Sequence, residues 1–267
     1  MDALSWIDGA WQSGNPKLLG ACDHATWLSS IVFDGARAFQ GLAPDLALHA
    51  ERAIRSAEIV GMRPTVSADT IVQIAWDGIG QFPPDAELYI RPLFFATGGH
   101  MGPDPATTRF ALTLEVSPLP APTGFSATLS PLYKPDPRTA PTEAKAAGLY
   151  AQVGRISNEA EARGFDTAVV RDLDGHVAEF AAANLFIVKD GAVHTPVHNR
   201  TFLNGLTRQR VIKLLRADGV QVVERSLTFA EVQAADEVFS TGNYGKVQPC
   251  TRIEDREFRF GPVTARA

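Results

Sequence analysis

The chain has 267 residues, 45% hydrophobic and 21% charged, which suits a soluble globular protein of one or two domains with a large core. A formal net charge of -5 argues against nucleic acid or an anionic membrane as partner, no apolar run approaches a membrane span, and residues 1–8 lack the basic head of a signal peptide. Cys22 and Cys250 are too few for a disulfide framework and read as free thiols in a reducing compartment, so the cytoplasm is expected.

In chain order, Trp6–Trp11 predicts a hairpin, because Asp8-Gly9 between apolar residues favours the turn whose twist matches paired strands. Ser30–Phe39 is strand-like, with small residues near its middle. His49–Met62 has helical spacing, with Ala53, Ala57 and Val60 on one stripe. Ser67 caps a second helix that runs to about Gln81, ahead of Pro83 and Pro84. Strands follow over 87–96 and 109–116. In the second, Phe110, Leu112, Leu114 and Val116 alternate with Ala111, Thr113 and Glu115, the pattern of a sheet with one buried face. Three prolines and a glycine then interrupt the pattern up to Gly124, and neither a helix nor a central strand accepts them. Residues 118–124 read as a linker between a small domain, 1–117, and a larger one, 125–267; the plain alternative is a surface loop within one domain. Beyond it, Ala146–Arg163 predicts a helix stopped by Gly164. Hairpins turn at Asp174-Gly175, between strands 167–171 and 177–180, and at Asp190-Gly191, between 184–189 and 192–195. A helix over Leu206–Ala217, a strand over 220–224, a short helix over 228–235 and a strand over 237–240 complete the pattern. There is no internal repeat.

The chemistry concentrates in a few stretches. Lys145 lies in Thr142-Glu143-Ala144-Lys145-Ala146-Ala147-Gly148-Leu149-Tyr150, among small residues that allow close approach. Alone, a lysine at a helix start is a solvated charge. A desolvated one loses proton affinity and becomes a usable nucleophile and base. Val177–Phe186 carries Glu179 and Asn184, although alternation along the strand does not settle which side Glu179 faces. A buried lysine with a distant buried carboxylate is what a pyridoxal phosphate enzyme needs. The amine captures the cofactor aldehyde, and the acid keeps the pyridine nitrogen protonated so that the ring withdraws electrons. Gly205-Leu206-Thr207-Arg208 opens a helix whose free amides and Thr207 hydroxyl suit a phosphate. The six histidines are scattered without metal-ligand spacing. There is no Gly-X-Ser-X-Gly elbow and no Walker or Rossmann glycine loop. Asp172, Asp174 and Gly175 read as a turn rather than a calcium loop.

Together these motifs resemble the fold type IV pyridoxal phosphate aminotransferases of the branched-chain amino acid group, in one order from about Ile7 to Thr264. That group carries its cofactor lysine in Ala-Lys-Ala-X-Gly-X-Tyr, matched by Ala144–Tyr150, and its pyridine-binding glutamate in Glu-X-X-X-X-Asn, matched by Glu179–Asn184. The resemblance implies a two-domain α+β fold, a small α/β domain plus a larger pseudo-barrel-like α/β domain, with the cofactor in the cleft between them. It assigns Lys145 to the cofactor aldehyde, Glu179 to the ring nitrogen and Tyr150 to the phenolate oxygen; the alternative for Tyr150 is a core ring. It assigns Arg52, Gly205, Leu206, Thr207, Gly242 and Asn243 to the phosphate, although Arg52 alone would be one more charge on an amphipathic helix. Asn243 replaces the group's threonine but can still donate, and bulky Tyr244 stands at the substrate carboxylate site where a small residue is usual.

Val32–Phe39 resembles the group's Val-Phe-Glu-Gly-Ile-Arg-Ala-Tyr, and Tyr89–Leu93 resembles Tyr-Ile-Arg-Pro-Leu. They imply a substrate pocket of Phe33, Gly35, Arg37, Tyr89 and Arg91. Phe33 would be an apolar wall, Gly35 would leave room for a branched side chain, and Arg91 would bind the distal carboxylate of glutamate. The plain readings are a core phenylalanine and a structural ion pair. Leu28 takes the place of a pocket tyrosine, and Trp27 reads as packing. The implied activity is transamination of an apolar, branched-chain type L-amino acid with 2-oxoglutarate, by a ping-pong mechanism, in a cytoplasmic homodimer or higher oligomer without a metal. Rivals are a D-amino acid or (R)-amine transaminase of the same fold, an aminodeoxychorismate lyase, and a non-catalytic cofactor-binding protein. Residues 261–267 fall where the group's final helix begins.

Overall fold

The computed structural model describes residues 2–267. The chain divides into two compact units, each with its own sheet. The first takes the residues up to Leu119 together with Ala144–Leu149, and the second takes Pro120–Glu143 and Tyr150–Ala267. Residues 117–124 form neither helix nor strand. The Lys145 stretch, expected with the larger domain, belongs to the first unit. Its backbone explains why: Ala146 bridges Val32, and the Lys145 carbonyl accepts the Phe33 N–H at 3.1 Å.

The first unit runs β1 (Ala3–Ile7), β2 (Ala10–Ser13), α1 (His24–Leu28), β3 (Ile31–Phe33), β4 (Ala36–Ala38), α2 (Leu46–Ile59), α3 (Ala68–Ile79), β5 (Leu88–Ala96) and β6 (Thr108–Val116). Its described strands form a six-stranded sheet in the order β2-β1-β6-β5-β3, with β4 also on β5. Asp8 (φ 51°) and Gly9 (φ 88°) make the left-handed turn that the β1–β2 hairpin needs. The single strand expected over 30–39 is two short ones, β3 and β4, either side of Asp34-Gly35. Helix α2 lies three residues earlier than its periodicity predicts. Gly61, in the left-handed region at φ 83°, stops it, with Gly61 N–H donating to Glu58 O at 3.0 Å and Met62 N–H to Ala57 O at 2.9 Å. On one sheet face Val32, Leu88, Ile90, Phe94, Leu112 and Leu114 pack against the alanines of α2 and against Ile71 and Ala75 of α3. Cross-strand partners share a face, so the pairs Phe33↔Leu93 and Arg37↔Tyr89 place Phe33, Arg37, Tyr89, Arg91 and Leu93 together on the other.

The second unit runs β7 (Phe125–Tyr133), α4 (Tyr150–Ala162), β8 (Thr167–Arg171), β9 (Val177–Phe180), β10 (Asn184–Lys189), β11 (Ala192–Pro196), α5 (Leu206–Ala217), β12 (Val222–Arg225), α6 (Phe229–Gln233), β13 (Glu237–Gly242), β14 (Lys246–Ile253), β15 (Arg256–Glu257) and α7 (Pro262–Arg266). Its described strands form a nine-stranded mixed sheet, β12-β11-β10-β13-β14-β7-β8-β9, with β15 on β14. Strand β9 stands at the far end of that order from β10, yet only three residues join them, and the Phe180 N–H donates to Ala183 O at 2.9 Å. The sheet must therefore curl until its β9 edge meets β10, which is the pseudo-barrel expected. Helices α4 and α5 end as predicted at Gly164 (φ 81°) and Gly219 (φ 80°).

Two central strands, β7 and β14, escape a reading by alternation. Strand β7 buries Thr128 and Ser130 as completely as a core alanine, so its polar pattern does not report its burial. Strand β14 contains Pro249. Pairing of β14 with β7 begins only at Cys250, so Pro249 has a neighbour on one side alone and its missing N–H is tolerated. Among the described residues no helix is long and apolar enough to cross a membrane.

Candidate active site

In the first unit, Lys145 is clamped through its backbone. Its N–H donates to the buried Ser56 Oγ of α2 at 3.0 Å, its carbonyl pairs with β3, and its neighbours Ala144 and Ala146 are buried. The side chain is half-buried, and its ammonium lies 4.7 Å from the centroid of the Phe33 ring. Phe33 stands on the sheet face with Tyr89 and Arg91. The register between Phe33↔Leu93 and Ala36↔Ile90 puts Gly35 opposite Arg91. A β-carbon at Gly35 would run into the Tyr89 phenol, whose Cζ would stand 2.7 Å away, so only glycine permits this packing.

The remaining predicted pocket residues divide. Arg91 forms a half-exposed pair with Glu115, Nη2 to Oε2 at 3.2 Å, so a substrate carboxylate must compete with that glutamate. The Arg91 and Arg37 guanidiniums lie 5.1 and 5.7 Å from the Tyr89 ring centroid. Arg37 is fully buried and donates to the Ser117 carbonyl at 2.6 Å, which makes it a support behind Tyr89 rather than an exposed contact. Leu28 is half-buried. Trp27, expected to pack, sets its ring edge-on to the buried His24 ring at 5.9 Å between centroids but is 57% exposed.

Arg52 of α2 uses two nitrogens on Asp34, Nε to Oδ2 at 2.6 Å and Nη2 to Oδ1 at 2.8 Å. His49 lies 2.6 Å from the same carboxylate, and the Gly35 N–H donates to it at 2.7 Å. Burial alone would push the Asp34 carboxyl up, but the Arg52 charge and the hydrogen bonds from Arg52 and His49 outweigh it and hold it far below the usual carboxylate range.

In the second unit, Glu179 is buried on β9. Its Oε1 meets the Lys134 ammonium at 2.6 Å, and its Oε2 accepts the Asn184 Nδ2 at 3.0 Å. Asn184 also donates to the Leu203 carbonyl at 3.0 Å, which ties the loop before α5 to the glutamate. Gly205 follows that loop, and a β-carbon there would collide with the Asn184 side-chain oxygen. The Glu-X-X-X-X-Asn and Gly-X-Thr motifs are thus one structure. Helix α5 begins at Leu206 without a side-chain cap, so its first amides are available to an anion. Thr241 pairs with Asn184 across β13 and β10, bringing Gly242 and Asn243 to the same place. The Thr241 hydroxyl and the Asn243 Nδ2 are buried there without a hydrogen-bond partner, and Lys246 donates to Asn243 Oδ1 at 2.9 Å. Buried orphan donors beside open helix amides, with Thr207 half-buried among them, fit a phosphate group.

Tyr150 opens α4 and is half-buried, while Tyr244 is 62% exposed. The sequence reading missed Lys134, Asp34, His49, Ser56 and Thr241. The only signal for Lys134 was its place in Tyr133-Lys134-Pro135, which reads as a loop.

The model of the family described as amino-transferase class IV matches residues 31–253. The branched-chain-amino-acid aminotransferase of Escherichia coli (strain K12) is 29% identical over 277 residues, covering 98% of this chain and 89% of that protein. That of Salmonella typhimurium is 30% identical over 278 residues, with the same coverage of 98% and 89%. The solved structure of an aminotransferase from Brucella abortus bound to the cofactor PLP matches with a TM-score of 0.98 at 46% identity, covering 100% of this chain and 96% of that one.

Proposed function

The chain belongs to the class IV amino-transferases, and from that premise we propose that it moves the amino group of an apolar, branched-chain type L-amino acid to 2-oxoglutarate, in a ping-pong sequence, with pyridoxal 5′-phosphate as cofactor. The observation that carries this reading is Lys145. Its peptide is locked to β3 and α2 while its ammonium lies against Phe33, on the sheet face that also bears Gly35, Tyr89 and Arg91.

When bound, the cofactor supplies an aldehyde that captures amines and a protonated ring that draws electrons from the substrate α-carbon. Lys145 Nζ is the amine that occupies the aldehyde at rest. Once displaced, Nζ would be the base that takes the proton from the substrate α-carbon and the acid that gives it back. Glu179 accepts the ring N–H, and Tyr150 donates to the phenolate oxygen. The α5 amides with Gly205, Leu206 and Thr207, the Thr241 hydroxyl, Gly242 and the Asn243 amide hold the phosphate, and the family resemblance assigns Arg52 to it as well. Phe33 and the Tyr89 phenol that packs over Gly35 border the side chain. Arg91 takes the distal carboxylate of the acceptor and Tyr244 borders the α-carboxylate. The family resemblance carries the further expectation of a cytoplasmic homodimer.

Single amino acids mixed with the loaded enzyme, with the absorbance of the bound cofactor followed, test the substrate class. Leucine, isoleucine and valine are expected to bleach the band and D-amino acids to leave it. Bleaching by a D-amino acid or an aromatic amine, with all three L-amino acids inert, sinks the assignment. Gly205→Ala tests the phosphate site. The added carbon meets Asn184, so affinity for pyridoxal phosphate is expected to fall about tenfold. Affinity for pyridoxal, which has no phosphate and keeps only the ring contact to Glu179 behind Asn184, should fall less. Equal losses for both ligands would remove the phosphate from this site.

A further inference from the structure

We infer that Lys134 is a positioning residue for Glu179: its ammonium keeps that carboxylate charged and aimed, so that Glu179 remains an acceptor for the ring N–H. The inference rests on the reading of Glu179 given above and adds the residue that makes that reading work.

Lys134 directly follows β7, and its N–H donates to the Arg171 carbonyl of β8 at 2.9 Å. The stem is therefore fixed, and the side chain spans β8 to reach β9, where Val170 pairs with Glu179. Its ammonium meets Glu179 Oε1 at 2.6 Å and donates to the Ala181 carbonyl at 3.1 Å. The two side chains are only 9% and 11% exposed. An exposed pair of this kind would do little, but a buried carboxylate without a counter-charge takes up a proton instead of staying ionised.

A protonated acid no longer favours a proton on the ring nitrogen, and without that proton the ring is a poor electron sink. Lys134 opposes this by supplying a positive charge from the protein itself. The contacts also fix direction. One oxygen of Glu179 is held by Lys134 and the other by Asn184 Nδ2 at 3.0 Å. Each carboxylate oxygen accepts more than one hydrogen bond, so capacity for the ring N–H remains. A residue needed only for folding would change stability and leave the state of the ring nitrogen alone.

The test uses enzyme reconstituted with pyridoxal phosphate labelled with 15N in the ring, whose NMR shift reports whether that nitrogen carries a proton. Wild type and Lys134→Arg are expected to show a protonated nitrogen near pH 8, and Lys134→Met and Glu179→Gln a deprotonated one. The Lys134→Met half-reaction with an amino acid should slow by about 30-fold, while affinity for the cofactor changes less than about threefold, because the phosphate contacts remain. Lys134→Gln, which keeps a donor but no charge, replaces Lys134→Met if the latter does not fold and should behave alike. A protonated nitrogen in the neutral Lys134 variant that folds, beside a deprotonated one in Glu179→Gln, overturns the role of Lys134. A protonated nitrogen in Glu179→Gln overturns the reading of Glu179 itself, and the role of Lys134 with it.

Discussion

Lys145→Ala is expected to lower turnover by about 10⁴-fold while leaving the protein folded. The amine has two roles in the proposed reaction, holding the cofactor between turnovers and carrying the proton from the substrate α-carbon, and alanine performs neither. The fold should survive because the Lys145 segment is anchored by main-chain bonds, to Ser56 Oγ at 3.0 Å and from Phe33 N–H at 3.1 Å, which alanine keeps. Ala144 and Ala146 remain buried beside it. The ammonium over the Phe33 ring contributes about 1 kcal/mol at most. Cofactor should still bind without a covalent link, through the phosphate donors and Glu179, and small primary amines added to the solution should restore part of the rate. Denaturant midpoints alongside single-turnover kinetics check both halves. A variant that retains more than about a tenth of wild-type turnover cannot have lost its central base.

Asp34→Asn is expected to cause the largest loss of stability, about 3–5 kcal/mol, the range for removing one partner of a buried charge cluster. Asp34 is completely buried and its carboxylate takes hydrogen bonds from Arg52, His49 and the Gly35 amide. Asparagine keeps the shape and removes the charge that those donors surround. The half-exposed Arg91–Glu115 pair supplies the contrast, since Glu115→Gln should cost no more than about 1 kcal/mol. The pH dependence follows in sign. The folded-state carboxyl titrates below its unfolded value of about 3.9. Its stabilisation is therefore complete above about pH 4 and is lost as pH falls further, because the unfolded chain binds the proton more readily. Urea titrations at pH 7 and near pH 3 measure both effects. The gap between wild type and Asp34→Asn should shrink at the lower pH, and a gap that stays constant would contradict this account of the cluster.

The residues easiest to read in the sequence are those whose role is local. Ala144–Tyr150 and Glu179–Asn184 are contiguous motifs. Helix stops at Gly164 and Gly219 and the turn at Asp8-Gly9 depend only on left-handed backbone at a glycine or beside one. What stayed hidden depends on pairings between distant segments. Lys134 looks like a loop residue until β7, β8 and β9 lie side by side, and its partner is 45 positions away. Asp34 and Arg52 are 18 residues apart, and their pairing requires the break between β3 and β4 to face α2. Strand β7 was masked by buried Thr128 and Ser130, and β14 by Pro249, whose tolerance depends on where β7 begins to pair. Trp27 shows the reverse failure. A large aromatic was expected to pack, but it stays more than half exposed even with its ring edge-on to His24, because a helix of one turn has little surface to offer it.

The most direct measurement of the central claim is borohydride reduction of the loaded enzyme followed by peptide mapping. A single pyridoxyl label is expected, on the nitrogen of Lys145. A label on Lys134 or Lys246, the lysines beside Glu179 and Asn243, or no label at all, would contradict it.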